Sequence, residues 1–224
     1  MCGRYVLAES PRKLAKRFNV PETPDLPFDG SRYNIAPTQE VPIVRQRVNA
    51  RELALVRWGL VPSWAKDLKI GSQMINARAD SIAVKPSFRE AFKARRCLVP
   101  ADGFYEWLKT DDGKQPYYIC LKNGEPFAFA GLWERWLDEQ EKAIESCTII
   151  TTDANLLMKP LHNRMPVILA PDDYSSWLDS TTKQDDLLFL CRPFPPDPMQ
   201  AYPVSKMVNS YKNQGEKLIE PVSA

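Results

Sequence analysis

Hydrophobic and polar residues along the 224-residue chain form short blocks, and the helical blocks lie towards its ends. Ser10 and Pro11 precede the amphipathic stretch RKLAKRFNV, which predicts a helix with an N-cap and a first-turn proline. A second helix is predicted over SFREAFKAR, with Ser87 as its cap. The other helical patterns are DANLLMKPL, DDYSSWLDS and DDLLFLC. All of these helices are predicted to be short.

Strand patterns dominate the middle of the chain. VPIVRQR and RELALVRW flank VNA and predict a β-hairpin. Residues 97–136 alternate apolar runs with turn sequences, which predicts an antiparallel meander, and CTIITT and HNRMPVIL add strands. Regular βαβ alternation, a GxGxxG motif and a P-loop are absent from the sequence, which argues against a nucleotide-binding parallel sheet. The pattern predicts an α+β fold with curved antiparallel sheets and a barrel-like core, flanked by short helices.

Composition adds limits to this picture. The chain is 44% hydrophobic and 26% charged, and it contains no linker-like tract or internal repeat, so we predict one domain over residues 1–224. A signal-peptide pattern and an apolar run of membrane-spanning length are missing, which predicts a cytoplasmic protein. The five cysteines are dispersed without a CxxC pair, which argues against a disulfide framework and a zinc site. The formal charge of +2 neither requires nor excludes a nucleic-acid partner.

The first candidate for chemistry is Cys2, in the opening stretch MCGRYV. If Met1 is removed, Cys2 carries an α-amine with an ordinary pKa of about 7.7–8.0 beside a thiol with a pKa of about 8.5. Two nucleophiles would then share one residue. The alternative is that Cys2 is a small buried hydrophobe near the chain end.

His162 is the only histidine and lies in KPLHNRMPVIL, between a predicted helix and a strand. A single histidine cannot build an HExxH site, so it is either a structural residue, a general acid or base, or a hydrogen-bond donor to a sugar or phosphate. Arg164 would lie on the same side of the chain if this segment is extended.

Glu106 lies in the aromatic stretch GFYEWL. Strand alternation places it on one face with Phe104 and Leu108, and leaves Tyr105 and Trp107 on the other. The carboxyl group either points to solvent or lies in an apolar setting where loss of water raises the pKa of an acid. The second setting suits a proton donor near neutral pH.

Two asparagines and their neighbours give weaker signals. MINARAD places Asn76 and Arg78 on a segment with few other hydrogen-bonding side chains, and SRYNIAPTQ places Asn34 near Pro37 in a rigid loop. Asparagine in such places is commonly a turn or cap residue, so both a structural and a functional interpretation remain open.

Long stretches of the sequence, in order and over nearly the whole chain, closely resemble the SOS response-associated peptidase (SRAP) family. The matching stretches are MCGRY, RYNIAPTQ, WGLVPSWAKD, INARAD, FREAFKARRCLVPADGFYEW, FAGLWE, TIITTDAN and LHNRMPVIL. The resemblance implies a sensor of abasic sites in single-stranded DNA that forms a covalent protein–DNA crosslink through its N-terminal cysteine. It implies no cofactor and no metal, and we expect a monomer that is associated with the nucleoid when it binds DNA.

The resemblance also implies residue roles. The implied catalytic residues are Cys2, Asn76, Glu106 and His162. Glu106 would transfer protons, Asn76 would hold the Cys2 amine, and His162 would hydrogen-bond the sugar or its phosphate. The predicted DNA-binding residues are Arg4, Asn34, Pro37, Trp64, Arg78, Trp107, Thr151 and Arg164, with the arginines on phosphates and the tryptophans stacking or wedging.

The implied chemistry accounts for the position of Cys2. A ring-opened abasic sugar exposes an aldehyde at C1′, which an amine attacks to form a Schiff base. The neighbouring thiol can then close a five-membered thiazolidine ring. Only an N-terminal cysteine carries an amine and a thiol on adjacent carbons, so the reaction requires removal of Met1, for which we expect self-cleavage.

Three other functions compete with this interpretation. Glutamine amidotransferases also begin with MCG, but they usually continue differently and need an acceptor domain; glutaminase activity would identify one. A cysteine peptidase could use Cys2 as nucleophile and His162 as base. A non-covalent single-strand binder would use only the arginines and Trp107, and would bind without trapping the DNA.

Overall fold

Thirteen strands and four short α-helices form the part of the chain that this computed structural model describes, residues 2–21, 26, 30–111 and 113–222. The strands are β1 (Tyr5–Leu7), β2 (Arg32–Ile35), β3 (Glu40–Gln46), β4 (Arg51–Trp58), β5 (Asn76–Arg78), β6 (Arg96–Ala101), β7 (Gly103–Thr110), β8 (Gly113–Leu121), β9 (Phe127–Leu137), β10 (Ala143–Asp153), β11 (Arg164–Pro166), β12 (Ile168–Leu169) and β13 (Met199–Pro203). The helices are α1 (Pro11–Arg17), α2 (Arg89–Ala94), α3 (Tyr174–Leu178) and α4 (Gln184–Leu190), and 3₁₀ turns cover Leu68–Gln73, Pro171–Asp173, Lys206–Asn209 and Glu216–Leu218. The predicted α+β class is confirmed. Within the described ranges, every helix is too short or too polar to cross a membrane.

The larger sheet closes on itself. Its strands run β11-β10-β4-β3-β6-β9-β12, and β10 also pairs with β9, so five strands form a closed barrel. The predicted hairpin is confirmed as the antiparallel pair of β3 and β4, whereas β10 runs parallel to β4. Short β5 joins the outside of this ring by pairing in parallel with β10. The predicted barrel-like core is therefore present.

The smaller sheet has five strands in the order β13-β8-β7-β1-β2. The N-terminal strand β1 lies inside it, with Tyr5 opposite Phe104 of β7 on one side and Ile35 of β2 on the other. Tyr5 packs into the main core against the Trp58 ring, at a centroid distance of 5.3 Å. Val6 points to the opposite face and joins a smaller apolar cluster. Because β1 is hydrogen-bonded to a strand on each edge, it fixes the position at which the preceding residues, including Cys2, join the sheet.

The meander predicted over residues 97–136 is wrong, although its β7–β8 hairpin is correct. The chain changes sheets at Asp102, because β6 belongs to the barrel and β7 to the smaller sheet. Strand β9 then pairs with β6 rather than with β8. A β-carbon on Gly103 would lie only 2.4 Å from the Tyr118 ring, so this crossing requires glycine. The sequence marks the crossing only by Asp102 and Gly103, a pair typical of turns, which does not distinguish a change of sheet from a hairpin.

Several helix predictions need correction. Helix α1 begins at Pro11 as predicted, but Ser10 makes no side-chain capping bond. Helix α2 begins at Arg89 with Phe88 rather than Ser87 at the N-cap. DANLLMKPL forms turns instead of a helix. There, the Asn155 side chain accepts a hydrogen bond from the Met158 amide at 2.9 Å, and Pro160 has no N–H to continue a helix.

The C-terminal half of the chain follows the predicted elements more loosely. The single strand predicted over HNRMPVIL is two short strands, β11 and β12, separated by Val167. Val167 bridges two neighbours, since its N–H donates to Ile150 and its carbonyl accepts from Ala130. The helix predicted over DDYSSWLDS is confirmed in shortened form as α3, and the one predicted over DDLLFLC is confirmed as α4, which begins and ends one residue earlier.

Asp102, which lies between β6 and β7 where the chain passes from one sheet to the other, is hydrogen-bonded to the end of β1. Its side chain accepts a hydrogen bond from the Ala8 amide, and its own N–H donates to the Val6 carbonyl at 2.9 Å. Partial burial raises the pKa of its carboxyl group from 3.8 to about 6, with a contribution from the negative charge of Glu9. Because the folded state favours the protonated acid, Asp102 makes the protein less stable as the pH rises from about 4 to above 6.

We expect Asp102→Asn to remove this pH dependence. A shift of about two pKa units corresponds to at most about 3 kcal/mol of unfolding free energy. Urea unfolding of the parent and the variant at pH 4.5 and pH 7.5 measures the effect. The parent should lose more stability than the variant between the two pH values, and identical pH dependence in both proteins would show that Asp102 titrates normally.

Candidate active site

Cys2 is fully buried and lies directly before β1, within the main core. Its Sγ atom lies 4.0 Å from the Arg4 carbonyl oxygen, to which the thiol donates. Burial raises the pKa of the thiol from 9.0 to about 12, and the negative charge of Glu106 adds to the shift. The thiol is therefore protonated at neutral pH. Met1, whose removal the sequence predicts, lies outside the described residues.

Asn76 connects a distant part of the chain to Cys2. Strand β5 carries it beside β10, where it stands opposite Ile149 in a parallel pair. Its Nδ2 donates to the Cys2 carbonyl oxygen at 2.9 Å. Its Oδ1 is buried and accepts no hydrogen bond from the described residues. Asn76 thus fixes the backbone of Cys2 and retains an acceptor for a further N–H group.

Glu106 and His162 line one open cleft of about 460 Å³, together with residues from three other places in the chain. The other lining residues are Trp107, Lys109, Lys114 and Asn209. The cleft follows the edge of β7 beyond Tyr105, where pairing with β1 has ended. Glu106 is only 6% exposed, so of the two interpretations of this residue the structure favours the shielded carboxyl group. The predicted alternation is confirmed, since Phe104 joins the main core and Tyr105 the smaller cluster.

The hydrogen bonding of His162 defines which nitrogen can donate. The ring Nδ1 accepts from the Arg164 backbone amide at 2.9 Å. The backbone N–H of His162 donates to the Met158 carbonyl at 2.9 Å. A neutral imidazole that accepts at Nδ1 carries its proton on Nε2. His162 is therefore set up as a hydrogen-bond donor at Nε2, and it lines the same cleft as Glu106.

The structure brings the four predicted catalytic residues into one region through three separate relations. Asn76 bonds to Cys2, the charge of Glu106 acts on the Cys2 thiol, and Glu106 shares a cleft with His162. These residues come from positions 2, 76, 106 and 162 of the sequence. Their convergence is a property of the fold, because no local spacing relates them.

Two of the predicted phosphate-binding arginines already have carboxylate partners. Arg78 bonds Asp80, with its Nε 3.2 Å from each carboxylate oxygen. Arg164 lies 3.1 Å from Asp153 and 3.7 Å from Asp80, and it donates to the Thr151 carbonyl at 2.6 Å. A hydrogen bond and the positive charge of Arg78 hold the pKa of Asp80 below its usual range. A phosphate at either arginine must therefore compete with a carboxylate.

Thr151 and Asn34 are buried and already hydrogen-bonded within the protein. The Thr151 hydroxyl is fully buried and donates to the Ala77 carbonyl at 3.5 Å. Asn34 is also fully buried, and its Oδ1 accepts from Arg4 at 2.7 Å. The Asn34 Nδ2 group donates to three carbonyl oxygens, those of Val208, Ser210 and Asn213. Both positions favour a supporting role, and direct DNA contact by them remains a prediction.

Arg4 and Trp107 stand next to each other at the cleft. The Arg4 guanidinium carbon lies 6.0 Å from the centroid of the Trp107 ring, and its Nη1 donates to the Val208 carbonyl at 3.0 Å. The indole N–H of Trp107 donates to Asn209 Oδ1 at 2.8 Å. The ring is thus held in one orientation by the C-terminal segment.

The remaining predicted DNA contacts, Pro37 and Trp64, do not line this cleft. Pro37 begins the turn between β2 and β3, in which Thr38 has a φ angle of +73°. Trp64 is 58% exposed in the loop that follows β4. Their DNA-binding roles remain predictions, and an exposed indole fits the stacking role predicted for Trp64.

Sequence reasoning missed Asp80, Lys109, Lys114 and Asn209. Asp80 lies two residues from Arg78, so their pairing could have been expected from the sequence. Asn209 had no such signal, because it meets Trp107 across 102 positions. As for metals, no group of three or more potential ligands comes together in the described part of the chain.

The chain is similar to a known family and to solved structures over nearly its whole length. The model of the family described as "SOS response associated peptidase (SRAP)" matches residues 1–211. The abasic site processing proteins YoqW and YoaM of Bacillus subtilis (strain 168) are each 44% identical over 223 residues, which covers 98% of this chain and 99% and 98% of the relatives. A crystal structure of a protein from Bacteroides thetaiotaomicron superposes with a TM-score of 0.90 at 29% identity, covering 99% of this chain and 100% of the other.

Proposed function

Because this chain belongs to the SOS response associated peptidase (SRAP) family, we propose that it processes abasic sites in single-stranded DNA by covalent attachment through Cys2. The observation that carries the proposal is the hydrogen bond from Asn76 to the Cys2 carbonyl. It holds the chain end beside the shielded carboxyl group of Glu106. The relatives YoqW and YoaM are abasic site processing proteins, which supports an abasic site as the lesion.

The first step of the proposed reaction frees the Cys2 amine. Hydrolysis of the Met1–Cys2 peptide bond consumes one water and releases methionine. The new α-amine would lie beside Asn76, whose Nδ2 holds the neighbouring carbonyl and whose Oδ1 can accept an amine N–H. An amine held in this way is oriented before the DNA arrives, which lowers the entropic cost of attack.

The second step joins the amine to the sugar. The amine nitrogen attacks C1′ of the open aldehyde, a proton moves to the oxygen, and the resulting hydroxyl leaves as water to give a Schiff base. Glu106 takes a proton from the attacking amine and passes it to the leaving hydroxyl. The Nε2–H of His162 donates to the sugar oxygen or to its phosphate and favours the open form.

The third step closes the ring. The Cys2 sulfur adds to C1′ of the Schiff base, and the thiol proton passes to the nitrogen. The raised pKa of the thiol suits this order, because a protonated thiol does not compete with the amine for the aldehyde. The net reaction joins an aldehyde and an aminothiol into a thiazolidine and releases one water, so no oxidant, cofactor or metal enters the balance.

The proposal is tested by mixing the purified protein with single-stranded DNA that carries one abasic site. We expect a protein–DNA band that survives heating in denaturant, and intact mass spectrometry should show the loss of Met1 and of one water from the sum of the two partners. Binding without a resistant band would favour a non-covalent single-strand binder. Ammonia release from glutamine, or cleavage of unrelated peptides, would favour an N-terminal cysteine hydrolase.

A further inference from the structure

A pair of lysines forms the part of the cleft wall farthest along the β7–β8 hairpin. Lys109 of β7 stands directly opposite Lys114 of β8 in the antiparallel register, and both side chains are exposed. Both residues line the cleft that contains Glu106 and His162. The cleft therefore joins two proposed catalytic residues to a pair of positive charges.

Neither lysine forms an ion pair within 4.0 Å with a carboxylate of the described residues. Directly opposed residues of an antiparallel pair have β-carbons about 4.5–5.5 Å apart, and like charges at this spacing are destabilising. Asp111, in the turn of the same hairpin, forms no ion pair with Lys109 or Lys114 within 4.0 Å. Both charges are thus available to an anion that enters the cleft.

The arginines near the cleft differ in this respect. Arg78 is paired with Asp80, and Arg164 contacts both Asp80 and Asp153. A phosphate must displace these carboxylates before it gains the full attraction of either arginine. At the lysine pair no such exchange with a described carboxylate is needed, so the first electrostatic contact with a DNA backbone favours the lysines.

We propose that Lys109 and Lys114 form a phosphate-binding subsite for the DNA strand beside the abasic nucleotide. This inference rests on the proposed function, because it places the sugar between Glu106 and His162. The subsite binds the phosphate charge and does not distinguish between bases, since a lysine ammonium contacts phosphate oxygens as a point charge. The Trp107 ring, which shares the cleft, offers a stacking surface for the adjacent base.

The salt dependence of binding tests the subsite. Each phosphate contact on single-stranded DNA contributes about 0.7 to the slope of log K against log salt concentration. The double variant Lys109→Gln with Lys114→Gln should lower the slope by about 1.4 on an intact strand, and Lys109→Gln alone by about 0.7. The control is Lys16→Gln with Lys93→Gln, which removes the same charge from helices α1 and α2, outside the cleft.

An unchanged slope in the lysine-pair variant, or an equal drop in the control variant, would overturn the proposal. These measurements use DNA without a lesion, so they do not depend on crosslinking. If the parent protein fails to crosslink an abasic strand, the proposed function fails while the slope still decides whether the lysines bind phosphate. Thermal melting of each variant shows that the exposed substitutions leave the fold intact.

A second measurement places the subsite next to the lesion. Strands with one abasic site receive a single uncharged methylphosphonate at successive phosphates, and affinity is measured in a Cys2→Ala background that prevents thiazolidine formation. We expect one modified phosphate beside the lesion to weaken binding severalfold when both lysines are present, and to have no effect when both are glutamine. Equal losses in the two proteins at every position would separate the lysines from the lesion and overturn the proposed placement.

Discussion

Cys2→Ala should abolish the heat-stable crosslink to an abasic strand and still permit a Schiff base. Because self-cleavage could itself require the thiol, Met1 is removed from the variant with an aminopeptidase. The variant then has an α-amine, but it lacks the sulfur that closes the thiazolidine ring. We therefore expect no denaturant-resistant band under ordinary conditions and a clear band when borohydride reduces the Schiff base to a stable amine. This is the largest effect we predict, because the ring closure has no substitute in the chain.

The control is a second buried cysteine outside the site. Cys191 follows the last residue of α4 and is also buried in the main core. Cys191→Ala therefore makes the same chemical change, the loss of one buried thiol, outside the site. It should crosslink at the parent rate. A leucine inserted between Met1 and Cys2 should block both the stable band and the borohydride-trapped band, because the Cys2 nitrogen then stays in a peptide bond. A heat-stable adduct of undiminished yield in either Cys2→Ala or the insertion would contradict the mechanism.

The residues that the sequence could assign are those within recognisable stretches. Alternation alone predicted that Glu106 and Tyr105 lie on opposite faces of their strand. The structure agrees, since Phe104, on the face of Glu106, joins the main core and Tyr105 joins the smaller apolar cluster. The β3–β4 hairpin was equally accessible, since two apolar strands flank a short polar turn. These features depend on neighbours within a few positions, where period and turn chemistry carry the information.

The crossing at Asp102 shows what local patterns cannot supply. Strands β6 and β7 are separated only by Asp102, yet they belong to different sheets, and the Gly103 backbone packs directly against Tyr118. That contact joins residues on separate strands and becomes visible only when the hairpin is folded. The turns formed by DANLLMKPL have a local cause instead, since Pro160 has no N–H to continue a helix beyond the turn that begins at Asn155.

At the candidate active site too, the sequence could name residues but could not give all of their hydrogen-bond and ion-pair partners. Arg78 and Arg164 could be named from the sequence as phosphate contacts, and the partner of Arg78, Asp80, is local. The carboxylate partners of Arg164, however, depend on β11 and β5 both lying against β10. Asn34 could be named too, although burial against the C-terminal segment turns its side chain inward to three carbonyl groups. The sequence thus identifies the functional groups, and the fold determines which of them remain open to a ligand.

Glu106→Gln should slow both formation and reversal of the crosslink by about 10²–10⁴-fold, the usual contribution of general acid–base catalysis. Gln retains the shape of the side chain and can fill the same buried position, but it cannot give up or take a proton. Affinity for an intact single strand should change little, because the carboxyl group is shielded and repels phosphate only weakly. Time courses of adduct formation and release from pH 5 to pH 9 measure the effect.

The matched control for Glu106→Gln is Glu134→Gln. Glu134 is also a buried glutamate on a strand, 7% exposed, but its carboxylate bonds to Arg95 at 2.7 Å and does not line the cleft. Its substitution breaks an ion pair and should lower the melting temperature while leaving the crosslinking rate of the folded protein unchanged. Glu106→Gln should instead slow the reaction in a protein that is still folded at the assay temperature. If Glu106→Gln forms and releases the adduct at the parent rate across the whole pH range, the carboxyl group has a structural role and the proton must come from His162 or from water.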